Sequence, residues 1–205
     1  MQRNYYSFVF RPSQEVMDNV ADMRSKLGDT GKNQNDSEAS VGIMEFEANE
    51  SELPYFKEYA AKFASVCTSQ TVEFTSLDAI SPSPGRDNGV LYFAASKSNQ
   101  PYFRSMMDAF YADFPMKDQI WAYLSQKPYI TLARGLSKNR LLTAKNYFTG
   151  IRSLKLRFEC GSITLRQFDP ATQQFLILQD YVFGMSPQVV PSSVSGNIIS
   201  ASGKL

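Results

Sequence analysis

The sequence predicts an α+β fold in which two similar lobes, each an antiparallel sheet flanked by helices, meet at a central cleft. Three observations predict it. Runs of aromatic and β-branched residues alternate with runs whose apolar residues recur every three or four positions, so strands and helices are interspersed along the chain. Several consecutive strands are separated by turn residues alone, which suits hairpins and not parallel crossovers. The 205 residues, 43% of them hydrophobic, suffice for one core or for two small lobes that share an interface.

Tyr5-Tyr6-Ser7-Phe8-Val9-Phe10 is aromatic and β-branched and stops at Arg11-Pro12-Ser13, which predicts an opening strand. Val16, Val20, Met23 and Leu27 follow as one stripe of an amphipathic helix. Gly28 to Glu38 is a polar loop, and Val41, Ile43 and Phe46 mark a second strand across Ser40 to Glu47. Ser51 caps a helix whose buried face is Phe56, Tyr59, Phe63 and Val66. Two strands, Thr71 to Leu77 and Gly89 to Ala94, flank the turn-rich stretch Ser81 to Gly89 and pair antiparallel. Asn99 or Ser98 caps a third helix, with Pro101 near its first turn and Phe103, Met106, Phe110 and Phe114 buried. Met116 to Leu124 reads either as a short helix or as a packed loop. A strand from Pro128 to Arg134 ends at Gly135, and Ser137 opens a helix through Leu141, Leu142, Ala144 and Phe148. Leu154 to Phe158, Ser162 to Phe168 and Phe175 to Phe183 complete the series as strands, the last two joined by the turn Asp169-Pro170-Ala171-Thr172. Residues 1–183 thus read as a single bilobal domain. Residues 184–205, rich in Ser, Gly, Pro and small aliphatics, read as a C-terminal extension, and a tail-to-partner contact there would make a homodimer.

The chain contains no histidine, which removes the imidazole acid–base and metal chemistry that most hydrolases use. Its 21 basic and 20 acidic residues nearly cancel, against the strongly basic surface that a long nucleic-acid duplex requires. A small anionic ligand needs only a few local arginines. Cys67 and Cys160 have no CxxC spacing, so the expectation is two reduced, buried thiols in a cytoplasmic protein, with no metal and no cofactor. Met1 to Phe10 lacks the pattern of a signal peptide, and no run approaches the roughly 20 apolar residues that span a bilayer. A membrane partner is therefore not expected.

Two strands invite comparison. In Ser40-Val41-Gly42-Ile43-Met44-Glu45-Phe46, strict alternation puts Ser40, Gly42 and Met44 on one face and Glu45 on the other. In Pro128-Tyr129-Ile130-Thr131-Leu132-Ala133-Arg134, Tyr129, Thr131 and Ala133 oppose Ile130 and Leu132. The apolar sets pack under helices, and the small and polar sets face the cleft. This pair resembles the doubled His-x-Thr/Ser-x signature of the 2H phosphoesterase superfamily, particularly its 2',5'-RNA-ligase-like and cyclic-phosphodiesterase branches. Pro128 to Leu136 looks like the second motif with Tyr129 in the histidine place and Thr131 kept. Ser40 to Ile43 looks like the first, with Ser40 for histidine and Gly42 for threonine. The order of elements and the stretch Ile163 to Asp169 are also similar to that family, over roughly residues 3 to 183.

The resemblance implies that two histidines flank a scissile phosphate as base and acid while the hydroxyls bind its oxygens. Here neither histidine exists. Phenols ordinarily titrate near pH 10 and serine higher still, and losing each acid–base partner costs on the order of 100- to 10,000-fold. The sequence therefore points to a catalytically degenerate protein that binds a nucleotide, an RNA end or another phosphorylated ligand, and not to an enzyme. Two alternatives stay open: histidine-free rewired chemistry, and a structural or interaction module with an occluded cleft. For ligand contact, Arg134 and Arg166 match phosphate bidentately. Thr131, Tyr129 and Ser40 line the cleft, and Tyr6 and Phe8 of the first strand offer a stacking surface for a base, unless core packing claims them.

Overall fold

The structure, a computed structural model, describes residues 3–27, 38–149 and 155–185. In chain order its elements are β1 (Asn4–Phe10), α1 (Gln14–Leu27), β2 (Val41–Ala48), α2 (Leu53–Val66), β3 (Gln70–Ile80), β4 (Gly89–Ala95), α3 (Gln100–Ala112), β5 (Ala122–Leu124), β6 (Tyr129–Leu136), α4 (Lys138–Thr149), β7 (Leu156–Cys160), β8 (Ser162–Asp169) and β9 (Gln174–Val182). All strand pairs are antiparallel, and the main path runs β7-β3-β4-β6-β2-β1-β8-β9. The two expected lobes are the two halves of this sheet, β7-β3-β4-β6 and β2-β1-β8-β9. Between β2 and β6 one residue pair, Val41 with Ile130, joins them among the described residues. Beyond it the strands part, and the short β5 takes up the edge of β2 through Met44, Glu45 and Phe46. Met116 to Leu124, read as helix or packed loop, thus contributes a strand too short for periodicity to reveal.

A shared aromatic core lies under both halves. Phe46 stacks on Tyr6 and Phe8 at ring-centroid distances of 5.5 and 5.7 Å, and Phe56 and Phe114 close on it at 4.8 and 5.3 Å. Phe103 of α3 meets Phe10 of one half and Phe74 of the other. Tyr6 and Phe8 are fully buried here, so the expected stacking surface does not exist on their side of β1. The face of β1 toward the cleft carries Tyr5, Ser7 and Val9 instead. Helix α2 buries Phe56, Ala60 and Ala64 in steps of four, which leaves Val66 81% exposed; α4 buries Leu141, Ala144 and Phe148, which leaves Leu142 outside. The entry to α2 is a short 3-10 turn, Glu50–Glu52, in which the Asn49 backbone N–H donates to the Glu52 carboxylate at 2.7 Å, so Ser51 is not the cap. Both cysteines are free and buried, as expected.

Two β-bulges reset the side-chain alternation of the inner strands. Phe8 pairs with Met44 and Val9 with Gly42, so Ile43 is the extra residue of β2. On β6 the partners of Leu91 and Tyr92 are Ala133 and Thr131, so Leu132 is extra. Gly135 does not end β6; it adopts a left-handed φ of 67° within a second bulge, and the strand runs on to Leu136. No helix among the described residues is long and apolar enough to cross a membrane. The expected extension and its dimer contact lie outside the described residues from position 186 onward, as do residues 28–37 of the expected loop.

Because Phe46 contacts rings from β1, α2 and the segment after α3, Phe46→Ala should cost roughly 3–5 kcal/mol in urea denaturation. Val66→Ala, on the exposed end of α2, should stay within about 0.5 kcal/mol in the same measurement.

Candidate functional site

The divergence of β2 and β6 opens a cavity of about 650 Å³. Ser40, Gly42, Tyr129, Thr131, Arg134 and Arg166 all line it, so six sequence-predicted positions from two lobes come together. Tyr6 does not, and the ring of Phe8 lies in the core. Two expectations of strict alternation are overturned by the bulges. Met44, which pairs with the core-facing Phe8, is buried at 1% exposure although it borders the cavity, and Glu45, expected on the far face, lines the cleft. The same reset brings Arg134 to the side of Thr131, where its Nη2 donates to Thr131 Oγ1 at 3.2 Å. Ala133, expected beside Thr131 and Tyr129, is buried instead.

Each side chain has a local reason for its place. Tyr129 is half-buried, its ring 4.7 Å from that of Tyr92, whose hydroxyl donates to Asp78 at 3.2 Å. Ser7 and Arg166 are directly paired across β1 and β8, and Arg166 Nε donates to Ser7 Oγ at 3.2 Å. The Arg166 guanidinium lies 4.9 Å from the centroid of the Phe175 ring, and burial pushes it down to about 10. Tyr5 donates a short hydrogen bond to Glu45; burial first, then that carboxylate, hold the phenol well above its ordinary range.

The sequence reading missed Arg24. This α1 residue is buried, donates from Nη2 to the Thr131 carbonyl at 2.7 Å, and is pushed down to about 10 by burial and then by Arg134. Its signal was available: Arg24 follows Met23 and sits four residues after Val20, on the edge of the helix's buried stripe. Also missed were Ser125 and Lys127, in the connection from β5 to β6, and Tyr123, Phe168 and Phe175. Ser125 matters for Gly42: a Cβ built on Gly42 would lie 2.7 Å from Ser125 Oγ. In all, four cationic side chains and two carboxylates line the cleft, and Glu38 is already held by Arg11 at 2.5 Å. The arrangement can seat an anion between hydroxyls and guanidinium groups.

No family model and no curated protein matches the sequence. Solved structures do. Escherichia coli LigT complexed with NADP+ superposes with a TM-score of 0.62 at 10% identity, over 90% of this chain and all 100% of LigT. LigT complexed with phosphate gives 0.60 at 11% identity, over 89% of this chain and 99% of that one. The protein TT0787 of Thermus thermophilus gives 0.53 at 13%, over 88% and 98%. The chain has the LigT-like fold, that of the 2H phosphoesterases. In this LigT-like frame Gly42 of β2, with Ser40 just before the strand, and Tyr129 and Thr131 of β6 line opposite banks of one cleft.

Replacing Arg166 by methionine keeps most of its packing and removes a costly buried charge. Arg166→Met is therefore expected to melt at or above the wild-type temperature at pH 7 and to show no thermal stabilisation by added phosphate, against an expected stabilisation of the wild type. Differential scanning calorimetry with and without phosphate checks both.

Proposed function

We propose that this chain is a degenerate 2H phosphoesterase: a cytoplasmic, non-catalytic binder of a nucleotide, an RNA end or a similar phosphorylated ligand. The observation that carries this reading is the convergence of Arg24, Arg134 and Arg166 from α1, β6 and β8 on a cleft that also holds Thr131. Guanidinium groups stay charged at physiological pH and match phosphate oxygens in pairs. Ser40 and Tyr129 stand where the resemblance puts the two acid–base histidines, and neither brings an imidazole to that place. Complexes of LigT with phosphate, 3'-AMP, ATP and NADP+ support a phosphorylated ligand for the same fold. The open cavity favours this reading over an occluded module.

One observation favours a second reading. Glu45 shares the cleft with Ser40, so a carboxylate is available as a substitute acid or base, although it already accepts the Tyr5 hydroxyl. Turnover of a 2',3'-cyclic nucleotide by the wild type, abolished in Glu45→Gln, would establish it and displace the first.

Under the first reading, calorimetric titration with 3'-AMP and 2',3'-cyclic AMP should give saturable binding, and Thr131→Val should weaken it about tenfold or more. No heat of binding from either nucleotide at millimolar concentration would sink the proposal. The cleft should also be re-armed by design. Ser40→His, Gly42→Thr and Tyr129→His combined with Ser125→Gly, which clears the space beside residue 42, should give cyclic-phosphate hydrolysis detectable above the wild type. The same triple without Ser125→Gly should be the weaker enzyme, since a Cβ at position 42 collides with the serine hydroxyl.

A further inference from the structure

Gly42 is the one place where the first motif has lost its hydroxyl and gained nothing in its own position. The space is nevertheless filled. Ser125 Oγ lies 2.7 Å from where a Cβ of residue 42 would be, closer than real Cβ contacts allow, so this hydroxyl and a side chain at 42 exclude each other. Ser125 is not there by loop accident. β5 pairs with β2 through Met44 with Leu124, Glu45 with Tyr123 and Phe46 with Ala122, and the ladder continues with the Ser125 N–H donating to the Ile43 carbonyl at 3.0 Å. Gly42 lies directly before the bulge at Ile43, and Ser125 lines the same cavity as Thr131, Arg134 and Arg166. Among the described residues the Ser125 hydroxyl makes no hydrogen bond to protein, and it is not sealed from the cavity.

Resting on the phosphate-binding reading above, we propose that Ser125 supplies, from β5, the anion-binding hydroxyl that the first motif lacks. The ligand's phosphate then meets two O–H donors from opposite banks of the β2–β6 junction. Thr131 Oγ1 accepts from Arg134 and keeps its own proton for the ligand; Ser125, with no protein acceptor, donates its proton to a second phosphate oxygen. Arg166 and Arg24 neutralise the remaining charge. Ser125 is a ligand-contacting residue, and Gly42 is a positioning residue: it leaves the hydroxyl room.

The test uses the full chain, with inorganic phosphate and 3'-AMP as calorimetric probes. Ser125→Ala should raise both dissociation constants about tenfold or more, the loss of one hydrogen bond to a charged group. Its melting temperature without ligand should not change. Ser125→Thr should bind like the wild type. The double variant Gly42→Ser with Ser125→Gly moves the hydroxyl back across the junction and should recover most of the lost affinity. Wild-type affinity in Ser125→Ala would overturn the assignment, and so would a double variant no tighter than Ser125→Ala, because the hydroxyl's place would then be irrelevant. A wild type that binds neither probe fails differently: it brings down the phosphate-binding reading itself, and this assignment with it.

Discussion

Everything in the cleft depends on the contact between Val41 and Ile130. Two half-sheets that paired along the whole length of β2 and β6 would satisfy both inner edges and leave no opening. Pairing at one residue and then diverging leaves two rows of backbone polar groups that must find partners elsewhere. β5 answers for β2, through Met44, Glu45 and Phe46, and the Glu47 N–H reaches the Trp121 carbonyl at 3.0 Å. At the far end of the same connection, the Ala95 N–H takes the Pro128 carbonyl at 3.2 Å, which ties the start of β6 to β4. The connection from Trp121 to Pro128 is thus held at both ends by backbone hydrogen bonds, and Ser125 and Lys127 are carried on it to the cleft.

The cleft's charge is expensive for the fold. Arg24 and Arg166 have folded-state values near 10 against an ordinary 12.5, both mainly through burial. The sign follows directly. Between those two values the unfolded chain holds more protons than the native one, so stability rises as pH climbs through that window, and below about 10 the whole cost of two desolvated cations is present. At neutral pH these arginines therefore work against folding, although neighbouring acceptors and the Phe175 ring soften the effect. An anion in the cleft would offset that cost, because its charge replaces part of the hydration that burial took from the guanidinium groups.

Much of the fold was legible because aromatic and β-branched runs, helical stripes and turn residues all pointed the same way. The turn at Asp169 is a case in point: its carboxylate accepts from the Ala171 N–H and the Thr172 hydroxyl, both at 2.9 Å, and Pro170 stands at its second position. The site was half legible. Ser40, Gly42, Tyr129 and Thr131 could be placed because each precedes its bulge, where alternation still holds. Beyond the bulges alternation inverts, and there Glu45, Met44 and Ala133 were assigned to the wrong faces. Tyr6 and Phe8 failed for a different reason: an alternating strand aromatic on both faces gives no hint of which face the helices cover. Ser125 could not be found at all, since its meaning comes from a through-space approach to a glycine 83 positions earlier.

Binding and catalysis at such a site draw on different physics, and the proposed reading of this cleft separates them. Holding a phosphate requires fixed charge and oriented hydrogens, which guanidinium groups and hydroxyls deliver at any physiological pH. Breaking a phosphodiester requires a group that takes a proton and another that gives one up at that same pH, placed on opposite sides of one phosphorus. Gly42 of β2, with Ser40 just before it, and Tyr129 and Thr131 of β6 line the cleft from opposite banks, and neither bank carries an imidazole. Glu45 and Arg134 sharpen the contrast: each lies five residues after the first position of its motif and is brought into the cleft by its strand's bulge, yet one is an anion and the other a cation. Under the proposed reading, an acceptor on one bank and a charge clamp on the other orient an anionic ligand and leave its bonds alone.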